Sequence, residues 1–379
     1  MVRAALIGVG SMGRKYMHHI SEGRVRDMEL TAAVARSEAA QDEIHRYMGE
    51  DFPVFASEEE LYEQEGLFDA VIIATPHMLH PQMTLNALRH GKHVLCDKPL
   101  GIKAGDCRKV IAEADRSGLV FSVMFHQRVW KKYIRIRQLI EEGTLGTIQR
   151  VMLENSRYFR TEYYHKSGKW RSSWNREGGG MLINQGQHIL DIWQWLFGMP
   201  DSLSAHICFG KYNDFTVDDE ASLFMNYKDG KTGIFVLSTG EGTGRERLEV
   251  IGSKGTALLN ENTLTLHLYD RDLSEYRKNE QVNAREHLHE TVTVEDLSGN
   301  EETHPVILEN FVRAITLGEP LIADGADGIH ALELTNAAYL SAWTGRETGL
   351  PCDDSLYERM LEEQQRRENR VSVQSASAS

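Results

Sequence analysis

Short apolar runs alternate with amphipathic stretches over the first 125 residues. The run Ala70–Ala74 is apolar at every position, which is typical of a strand that a parallel sheet buries on both faces. The runs with strand character are Ala4–Val9, Leu30–Ala35, Ala70–Ala74, His93–Cys96 and Leu119–Phe125. The stretches with helical character are Gly13–Glu22, Glu38–Met48, Pro81–His90 and Ala104–Arg116. This alternation predicts an α/β domain of residues 1–125 with a doubly wound parallel sheet.

The pattern changes after a predicted linking helix, Trp130–Glu141. Asp229 and Gly230 stand between two apolar runs and predict a tight β-hairpin. The predicted strands are Ser222–Tyr227, Gly233–Leu237, Leu248–Ile251, Thr256–Leu259 and Thr263–Tyr269, and the predicted helices are Ile183–Phe197, Pro305–Leu317 and Gly325–Trp343. Residues 126–365 are therefore expected to form a second α/β domain with a largely antiparallel open sheet. Residues 366–379 lose the apolar periodicity and are expected to be a disordered tail.

Composition excludes several classes of function. The 379 residues have a formal net charge of −14, which disfavours nonspecific binding to nucleic acid or to an anionic membrane. No apolar stretch approaches the roughly 20 residues of a membrane span, and the first residues show no signal-peptide pattern. The four cysteines lie far apart, which indicates free thiols rather than disulfides or a zinc site. These features predict a cytoplasmic protein with no nucleic-acid or membrane partner.

A glycine motif of the form GxGxxG follows the first predicted strand. Gly8 permits a tight turn, Gly10 lets the backbone approach a pyrophosphate, and Gly13 lets helix and strand pack closely. The N-terminus of the next helix then faces the phosphate charge. Such glycines are common in turns, but at this place in a βαβ unit they predict a dinucleotide-binding Rossmann domain. The predicted cofactor contacts here are Gly8, Gly10, Ser11, Met12 and Gly13.

The end of the second predicted strand bears on the choice between NAD and NADP. A carboxylate at this place would bind both ribose hydroxyls of NAD. The chain has Arg36 and Ser37 here, and no carboxylate before Glu38. A guanidinium and a hydroxyl suit a 2′-phosphate, so these residues favour NADP slightly over NAD. The alternative interpretation is that Arg36 is only solvated.

Two further blocks, residues 74–80 and 91–100, follow later strands of the predicted sheet, and the second contains Asp97-Lys98-Pro99. Behind an N-terminal GxGxxG, these blocks resemble the glucose-fructose oxidoreductase, inositol dehydrogenase and rhizopine catabolism (Gfo/Idh/MocA) family of NAD(P)-dependent oxidoreductases. The family hallmark is Glu-Lys-Pro, so Asp97 keeps the carboxylate but is one methylene shorter. The resemblance implies that Lys98 is the catalytic lysine beside the nicotinamide and the reacting hydroxyl. The cofactor contacts expected in these blocks are Thr75, Pro76, His80, Asp97 and Lys98.

A third block, residues 177–193, has a glycine run that enters a helix, and it resembles the second-domain signature of the same family. Asn184 and His188 are one helical turn apart, so both side chains project to the same side. The family often has Asp at the first position, and Asn184 cannot take a proton at neutral pH. The acid–base role therefore falls to His188, because imidazole titrates near neutral pH. Both residues are also expected to bind substrate. Asp191, one turn later, is expected to stabilise the fold instead.

Aromatic and basic residues surround these blocks. Tyrosine rings stack on sugar faces and their hydroxyls bond to sugar hydroxyls, so the cluster predicts a carbohydrate site, although such residues are equally common in cores. The further expected substrate contacts are Lys98, Arg128, Tyr158, Tyr163 and Tyr164, and the further expected cofactor contacts are Gln127, Trp170 and Arg171. Arg245 and Arg247 are weaker candidates for an anionic substrate. His287 and His289 predict no metal site, because the spacing implies no third ligand.

The resemblance covers about residues 3 to 362 and implies an NAD(P)-dependent dehydrogenase or reductase that acts on a sugar, a polyol or a sugar derivative. A redox-assisted glycoside hydrolase, which oxidises, eliminates, hydrates and reduces on the same scaffold, is the alternative. A sensor that binds cofactor without chemistry is disfavoured, because Lys98 and His188 are both present. An open sheet with one apolar face needs to be covered, so a homodimer or homotetramer is expected.

Overall fold

The computed structural model describes residues 1–168, 170–299 and 302–378, with side chains up to Arg370. These residues form two compact units. The first unit contains Met1–Val129, Arg176–Gly178 and Glu302–Leu332, and the second contains the remaining described residues. The first segment of the first unit ends at Val129, four residues beyond the predicted boundary at residue 125. The prediction placed residues 302–332 in the second domain, whereas the structure places them in the first unit.

A six-stranded parallel sheet forms the first unit. Its strands are β1 (Val2–Ile7), β2 (Met28–Val34), β3 (Val54–Phe55), β4 (Ala70–Ile73), β5 (His93–Cys96) and β6 (Phe121–Val123). Its helices before residue 130 are α1 (Ser11–Ser21), α2 (Glu38–Met48), α3 (Glu58–Tyr62), α4 (His80–Arg89) and α5 (Ala104–Ser117). The strand order β3-β2-β1-β4-β5-β6 confirms the predicted doubly wound sheet. Every residue of β4 is buried, as its continuous apolar run predicts.

Local sequence explains where several of these helices begin and end. The Ser37 hydroxyl accepts a hydrogen bond from the Ala40 N–H and caps α2, which satisfies one of the open donors of its first turn. α5 ends at Gly118, whose φ of 64° lies in the left-handed region that favours glycine. Because β1, β4 and β5 run parallel, the turns that follow them all lie at the same edge of the sheet, at the carboxyl ends of the strands.

A nine-stranded mixed sheet forms the second unit. Up to residue 299 its elements are α6 (Lys131–Glu141), β7 (Ile148–Asn155), α7 (Glu162–Lys166), α8 (Met181–Asn184), α9 (Gly186–Phe197), β8 (Ser202–Phe209), β9 (Asp218–Asn226), β10 (Thr232–Ser238), β11 (Glu246–Gly252), β12 (Gly255–Asn260), β13 (Thr263–Tyr269), α10 (Leu273–Asn279) and β14 (Glu290–Asp296). The elements that follow along the chain are α11 (His304–Leu317), which belongs to the first unit, and then α12 (Gly328–Thr344), β15 (Thr348–Gly349) and α13 (Asp354–Ala378).

The strand order of this sheet is β14-β13-β12-β11-β7-β10-β9-β8-β15. All neighbours pair antiparallel except β7 and β10, which run parallel at the centre. The predicted α/β domain with a largely antiparallel sheet is therefore confirmed, with one parallel pair added. β7 lies at this central place although its residues give only a weak strand pattern in the sequence.

Helix α11 completes the core of the first unit. Its apolar residues Ile307, Leu308 and Phe311 are buried in one cluster with Ala4 and Leu6 of β1. Beyond this helix, the Ser122 hydroxyl on β6 donates a 2.7 Å hydrogen bond to the Ala323 carbonyl. These contacts explain why residues 302–332 belong to the first unit.

The end of the chain differs from its prediction. Residues 366–378 continue α13 instead of forming a disordered tail. The Glu368 carboxylate accepts hydrogen bonds from the Trp174 N–H at 3.2 Å and the Asn175 N–H at 3.0 Å. The Gln365 amide donates to the Trp174 carbonyl at 3.0 Å. A distant partner thus supports a helix that local apolar periodicity does not reveal.

Among the described residues, no helix is both long enough and apolar enough to cross a membrane. The cysteines are free thiols, as predicted: Cys96, Cys107 and Cys352 are buried, and Cys208 is half-buried.

Candidate active site

The glycine loop between β1 and α1 has the geometry that a dinucleotide requires. Gly8 has a φ of +93°, and a Cβ added there would lie 2.8 Å from the Ala74 carbonyl oxygen. A Cβ on Gly13 would lie 2.0 Å from the Gly8 carbonyl oxygen, so only glycine permits this packing. A Cβ on Gly10 would meet nothing within 4 Å, which leaves space in front of the helix.

The start of α1 is suited to an anion. Gly10 is the N-cap and offers no side-chain hydrogen bond, and no acidic residue lies in the first turn. Gly10 and Ser11 are exposed, whereas Met12 is half-buried and Gly13 buried. Open N–H groups at a helix N-terminus, with free space beside a glycine, fit a pyrophosphate. The residues present therefore fit the dinucleotide that the sequence motif predicts.

Arg36 and Ser37 lie where the adenosine ribose of such a cofactor is expected, directly after β2. Both residues are exposed. Ser37 also caps α2, so its hydroxyl has a structural role as well. Among the described residues no carboxylate lies within ion-pair distance of the Arg36 guanidinium, so the side chain is available for a phosphate.

Lys98 follows the carboxyl end of β5, on the sheet edge that also bears the glycine loop. It is half-buried, and its backbone N–H donates a 2.9 Å hydrogen bond to the Asp97 carboxylate. Asp97 is 8% exposed; burial raises its pKa, and the Lys98 ammonium opposes that effect. Asp97 thus orients the backbone of Lys98, and Lys98 follows the carboxyl end of a strand, where ligands bind in open α/β sheets.

His80 joins the two loops of this edge. Its Nδ1 lies 2.6 Å from the Pro99 carbonyl oxygen, and its Nε2 lies 2.7 Å from the Thr75 carbonyl oxygen. Only a protonated imidazole donates from both nitrogens. Burial lowers the pKa of His80 overall, although the two carbonyls and Asp97 oppose this effect. His80 is 1% exposed, and its two hydrogen bonds connect the loop after β4, at Thr75, with the loop after β5, at Pro99.

In the second unit, Asp218 of β9 holds the helix that presents Asn184. Its carboxylate accepts the Gly180 N–H at 2.8 Å, the Leu182 N–H at 2.7 Å and the Tyr339 hydroxyl at 2.5 Å. Burial raises the pKa of Asp218, and these three donors oppose it. An acidic side chain at the start of α8 also stabilises the helix dipole. No linear motif marks Asp218, because its partners lie 36 or more residues away.

Asn184 and His188 remain on one helical face. Gln185 between α8 and α9 keeps a helical backbone, with φ −72° and ψ −38°. Asn184 is 9% exposed, and His188 is half-buried. The i to i+4 relation predicted from the sequence is therefore preserved across the break between the two helices.

The Tyr164 hydroxyl is the centre of a polar cluster beside Asn184. It accepts hydrogen bonds from Arg171 at 2.6 Å, from Gln185 at 3.1 Å and from Asn184 at 3.5 Å. The Arg171 guanidinium also lies over the rings of Tyr164, at 4.3 Å, and Trp170, at 4.5 Å. The structure thus brings Arg171, expected from the sequence to contact the cofactor, together with Tyr164 and Asn184, expected to contact substrate. It adds Gln185, for which the sequence predicts no role.

Of four further predicted contacts, three have surroundings that do not suit a ligand contact. Arg128 is 2% exposed and pairs with Asp327 at 2.6 Å within the first unit, which does not support its predicted substrate role. Gln127 beside it is also buried, at 3% exposure. Tyr163 is 84% exposed on α7, which likewise does not support substrate binding. Tyr158 is half-buried.

A doubly wound sheet with an open glycine-rich helix start and a lysine beyond β5 defines a dinucleotide-binding Rossmann protein with an additional α/β unit. The chain belongs to the Gfo/Idh/MocA oxidoreductase family. The model of its NAD-binding Rossmann fold matches residues 2–125, and the model of its C-terminal alpha/beta domain matches residues 137–350. The family resemblance of the three sequence blocks is thereby confirmed.

Similar proteins include several dehydrogenases. The chain is 30% identical over 212 residues to trans-1,2-dihydrobenzene-1,2-diol dehydrogenase of Bos taurus, covering 55% of this chain and 60% of the relative. It is 34% identical over 173 residues to scyllo-inositol 2-dehydrogenase (NADP(+)) of Bacillus subtilis, covering 44% and 46%. The match thus spans less than two thirds of either relative.

A solved structure shows the same fold over most of the chain. The WlbA dehydrogenase from Bordetella pertussis, in complex with NADH and UDP-GlcNAcA, has a TM-score of 0.77 and 22% identity. The match covers 93% of this chain and 99% of that one.

Proposed function

We propose that the chain is an NAD(P)-dependent dehydrogenase that transfers a hydride between the nicotinamide and a carbinol carbon of a sugar, a polyol or a sugar derivative. The observation that supports this most is Lys98 at the carboxyl end of β5, on the same sheet edge as the open start of α1. The relatives named dihydrodiol and inositol dehydrogenases act on cyclic diols and polyols, and this supports the substrate class.

The proposed roles follow from the chemistry of each side chain. When bound, the oxidised nicotinamide accepts the hydride. The Lys98 ammonium donates a hydrogen bond to the reacting oxygen and stabilises the charge that develops there during oxidation. His188 takes the hydroxyl proton in oxidation and returns it in reduction. Asn184 donates to a neighbouring hydroxyl and orients the ring.

The finer parts of the proposal concern cofactor and assembly. Arg36 and Ser37 favour NADP over NAD, because a guanidinium without a carboxylate partner suits a 2′-phosphate. The free cysteines suit a reducing compartment, so we place the protein in the cytoplasm. A homodimer or homotetramer is proposed because apolar side chains such as Phe224, 59% exposed, lie on the second sheet.

The test is a screen of sugars, polyols and their derivatives for reduction of NAD⁺ and NADP⁺, repeated with Lys98→Met. The variant is expected to lose more than nine tenths of the turnover, whereas its cofactor affinity stays within a few fold, because the lost interaction is strongest in the transition state. Lys109→Met, which removes an exposed lysine of α5, is the matched control. Retention of more than about a tenth of the wild-type rate would remove Lys98 from its proposed role.

Product analysis in deuterated water separates this activity from redox-assisted glycoside hydrolysis. A dehydrogenase reduces one cofactor per product and leaves the carbon beside the carbinol unlabelled. A hydrolase of the alternative kind returns the hydride to the sugar and exchanges the proton on that neighbouring carbon. Glycoside cleavage with deuterium at that carbon and no reduced cofactor would overturn the dehydrogenase proposal.

A further inference from the structure

Two arginines of the second unit share one tyrosine ring. The Arg160 guanidinium lies 4.7 Å from the centre of the Tyr164 ring, and the Arg171 guanidinium lies 4.3 Å from it. Arg171 also donates to the Tyr164 hydroxyl. Stacking of this kind orients the planar guanidinium fork without neutralising its charge. The three residues are called here the Arg–Tyr–Arg cluster.

Neither arginine has an acidic partner at ion-pair distance among the residues that the structure describes. Arg160 donates through Nη1 to its neighbouring Phe159 carbonyl, and its Nε is buried without a hydrogen-bond partner. Other cations of this segment are paired: Arg157 with Glu246 at 2.5 Å and Lys166 with Glu162 at 2.6 Å. The cluster therefore has a local excess of positive charge in a chain of net charge −14.

His165 responds to this charge. Burial lowers its pKa, and the guanidinium groups of Arg160 and Arg171 lower it further. Asp219 opposes the effect, but its two carboxylate oxygens accept the Lys211 N–H at 3.0 Å and the Tyr212 N–H at 2.8 Å. The backbone therefore holds the Asp219 carboxylate, which forms no ion pair with Arg160 or Arg171 among the described residues.

The cluster is continuous with the proposed substrate residues. The Tyr164 hydroxyl lies 3.5 Å from the Asn184 amide nitrogen and 3.1 Å from that of Gln185. Asn184 is one helical turn from His188, the proposed acid–base. A ligand whose hydroxyl is oriented by Asn184 therefore has guanidinium groups on the side of Tyr164.

We propose that the Arg–Tyr–Arg cluster is an anion subsite and that the substrate is an acidic sugar derivative, whose carboxylate is bound by Arg160 and Arg171. This proposal gives Arg171 a substrate contact in place of the cofactor contact expected from the sequence. This inference rests on the proposed function as a sugar or polyol dehydrogenase. A carboxylate matches the planar guanidinium fork, which donates two parallel hydrogen bonds. A sugar phosphate shares the anionic chemistry and is separated from the carboxylate by the test.

The test measures binding by calorimetry and does not depend on turnover. The probes are matched pairs of neutral sugar and sugar acid, D-glucose with D-glucuronate and D-galactose with D-galacturonate, and D-glucose 6-phosphate as the phosphate arm. At least one anionic probe is expected to bind about tenfold or more tightly than its neutral parent, the size of a charge-assisted contact. Tighter binding of an acid assigns the subsite to a carboxylate, and tighter binding of the phosphate assigns it to a phosphoryl group.

Arg160→Gln is the deciding variant, because it removes one charge and leaves Arg171 and Tyr164 in place. It is expected to remove the preference for the anionic probe and to leave the affinity for the neutral sugar and for NADP⁺ within about twofold. Arg137→Gln is the matched control, since that guanidinium also stacks on an aromatic ring, Trp195, at 4.3 Å, but pairs with Glu141. The control should bind like the wild type.

Three results would overturn the anion subsite: no anionic probe binds more tightly than its neutral parent, Arg160→Gln weakens both members of a pair equally, or Arg160→Gln weakens NADP⁺ as much as the acid. The last result would assign the cluster to the cofactor. If neutral polyols are turned over in a reaction that depends on Lys98, and acids are not preferred, the anion subsite is refuted and the proposed dehydrogenase activity stands. If the wild type prefers acids and Arg160→Gln does not, but no probe reduces the cofactor, the anion subsite is supported and the proposed dehydrogenase activity is refuted.

Discussion

Replacement of His304 by phenylalanine is expected to make the first unit more resistant to acid. His304 begins α11, is 8% exposed, and stacks on His126 with ring centroids 4.0 Å apart. Burial, the adjacent His126 and then Lys15 lower the pKa of His304 to about 2. Burial, Lys15 and then Lys98 lower the pKa of His126 to about 3. Both rings are therefore neutral in the folded protein over the whole range in which a free histidine becomes charged.

The size of the effect follows from proton linkage. In the unfolded chain His304 binds a proton with a pKa of about 6.5, so below that pH the unfolded state binds more protons than the folded state. The free energy of unfolding therefore falls as the pH falls from 6.5 towards the folded pKa. At pH 5.0 this histidine alone lowers the free energy of unfolding by about 2 kcal/mol, and at pH 7.5 by only about 0.1 kcal/mol.

Phenylalanine keeps the stacked ring and removes the titration. The Nδ1 atom of His304 is buried without a hydrogen-bond partner, so the substitution gives up little there. Guanidinium chloride unfolding of wild type and His304→Phe at pH 7.5 and 5.0 measures the difference, and pulsed hydrogen exchange of β1 and α11 peptides assigns the transition to the first unit. Between the two pH values the wild type should lose about 2 kcal/mol more than the variant.

The matched control is His90→Phe, which removes an exposed histidine that is also stacked on an aromatic ring, that of Tyr62. The control is expected to follow the wild-type pH profile. Equal losses in wild type and His304→Phe would refute the assignment of a buried neutral histidine to this position.

Three further substitutions test other parts of the structure. Gly10→Ala should leave the melting temperature within about 2 °C, because the added Cβ meets no protein atom. It should weaken NAD(P) binding at least tenfold in a fluorescence titration, because a pyrophosphate is expected to occupy that space. Gly242→Ala, whose added Cβ is also in open space, is the control, and equal binding by the two variants would contradict the prediction. The Glu246 carboxylate lies 2.7 Å from the ammonium of Lys132, whose side chain is 0% exposed. Glu246→Gln removes this counter-charge, so the free energy of unfolding measured with denaturant should fall by about 3–5 kcal/mol. A decrease below about 1 kcal/mol would contradict a buried ion pair at this place. Arg36→Ala should weaken NADP⁺ binding by about 1–3 kcal/mol in calorimetry and NAD⁺ little, and equal effects on both would reverse the proposed preference.

The sequence predicted the first unit well because the signals there are local. Its strands are mostly apolar, β4 throughout, and its helices have periodic faces and, at α2, a serine cap that the chain shows within ten or fifteen residues. The glycine spacing places the cofactor loop, and Gly13 is now seen to be required by a 2.0 Å approach of the Gly8 carbonyl to any Cβ. The same local logic places Lys98 after β5 and keeps Asn184 and His188 on one helical face.

The parts of the fold that the sequence pattern does not indicate depend on partners far along the chain. Residues 302–332 rejoin the first sheet through contacts such as Ser122 with Ala323, which no periodicity indicates. The helix over 366–378 has a weak apolar pattern, and Glu368 instead bonds to the loop at Trp174. An arginine in a candidate site and an arginine in an interior ion pair look alike in a sequence, and only the position of Asp327 separates Arg128 from Arg171.

The sequence by itself thus determined the class of fold, the family and the residues that bear the proposed chemistry, because these depend on the order and spacing of neighbouring residues. The tertiary structure alone decided which charges are neutralised and which are left for a ligand. Burial and pairing depend on where residues that are distant in sequence lie in three dimensions. Lys132 and Glu246 form an ion pair in the interior, whereas Arg160 and Arg171 stack on the Tyr164 ring, which does not neutralise their charge.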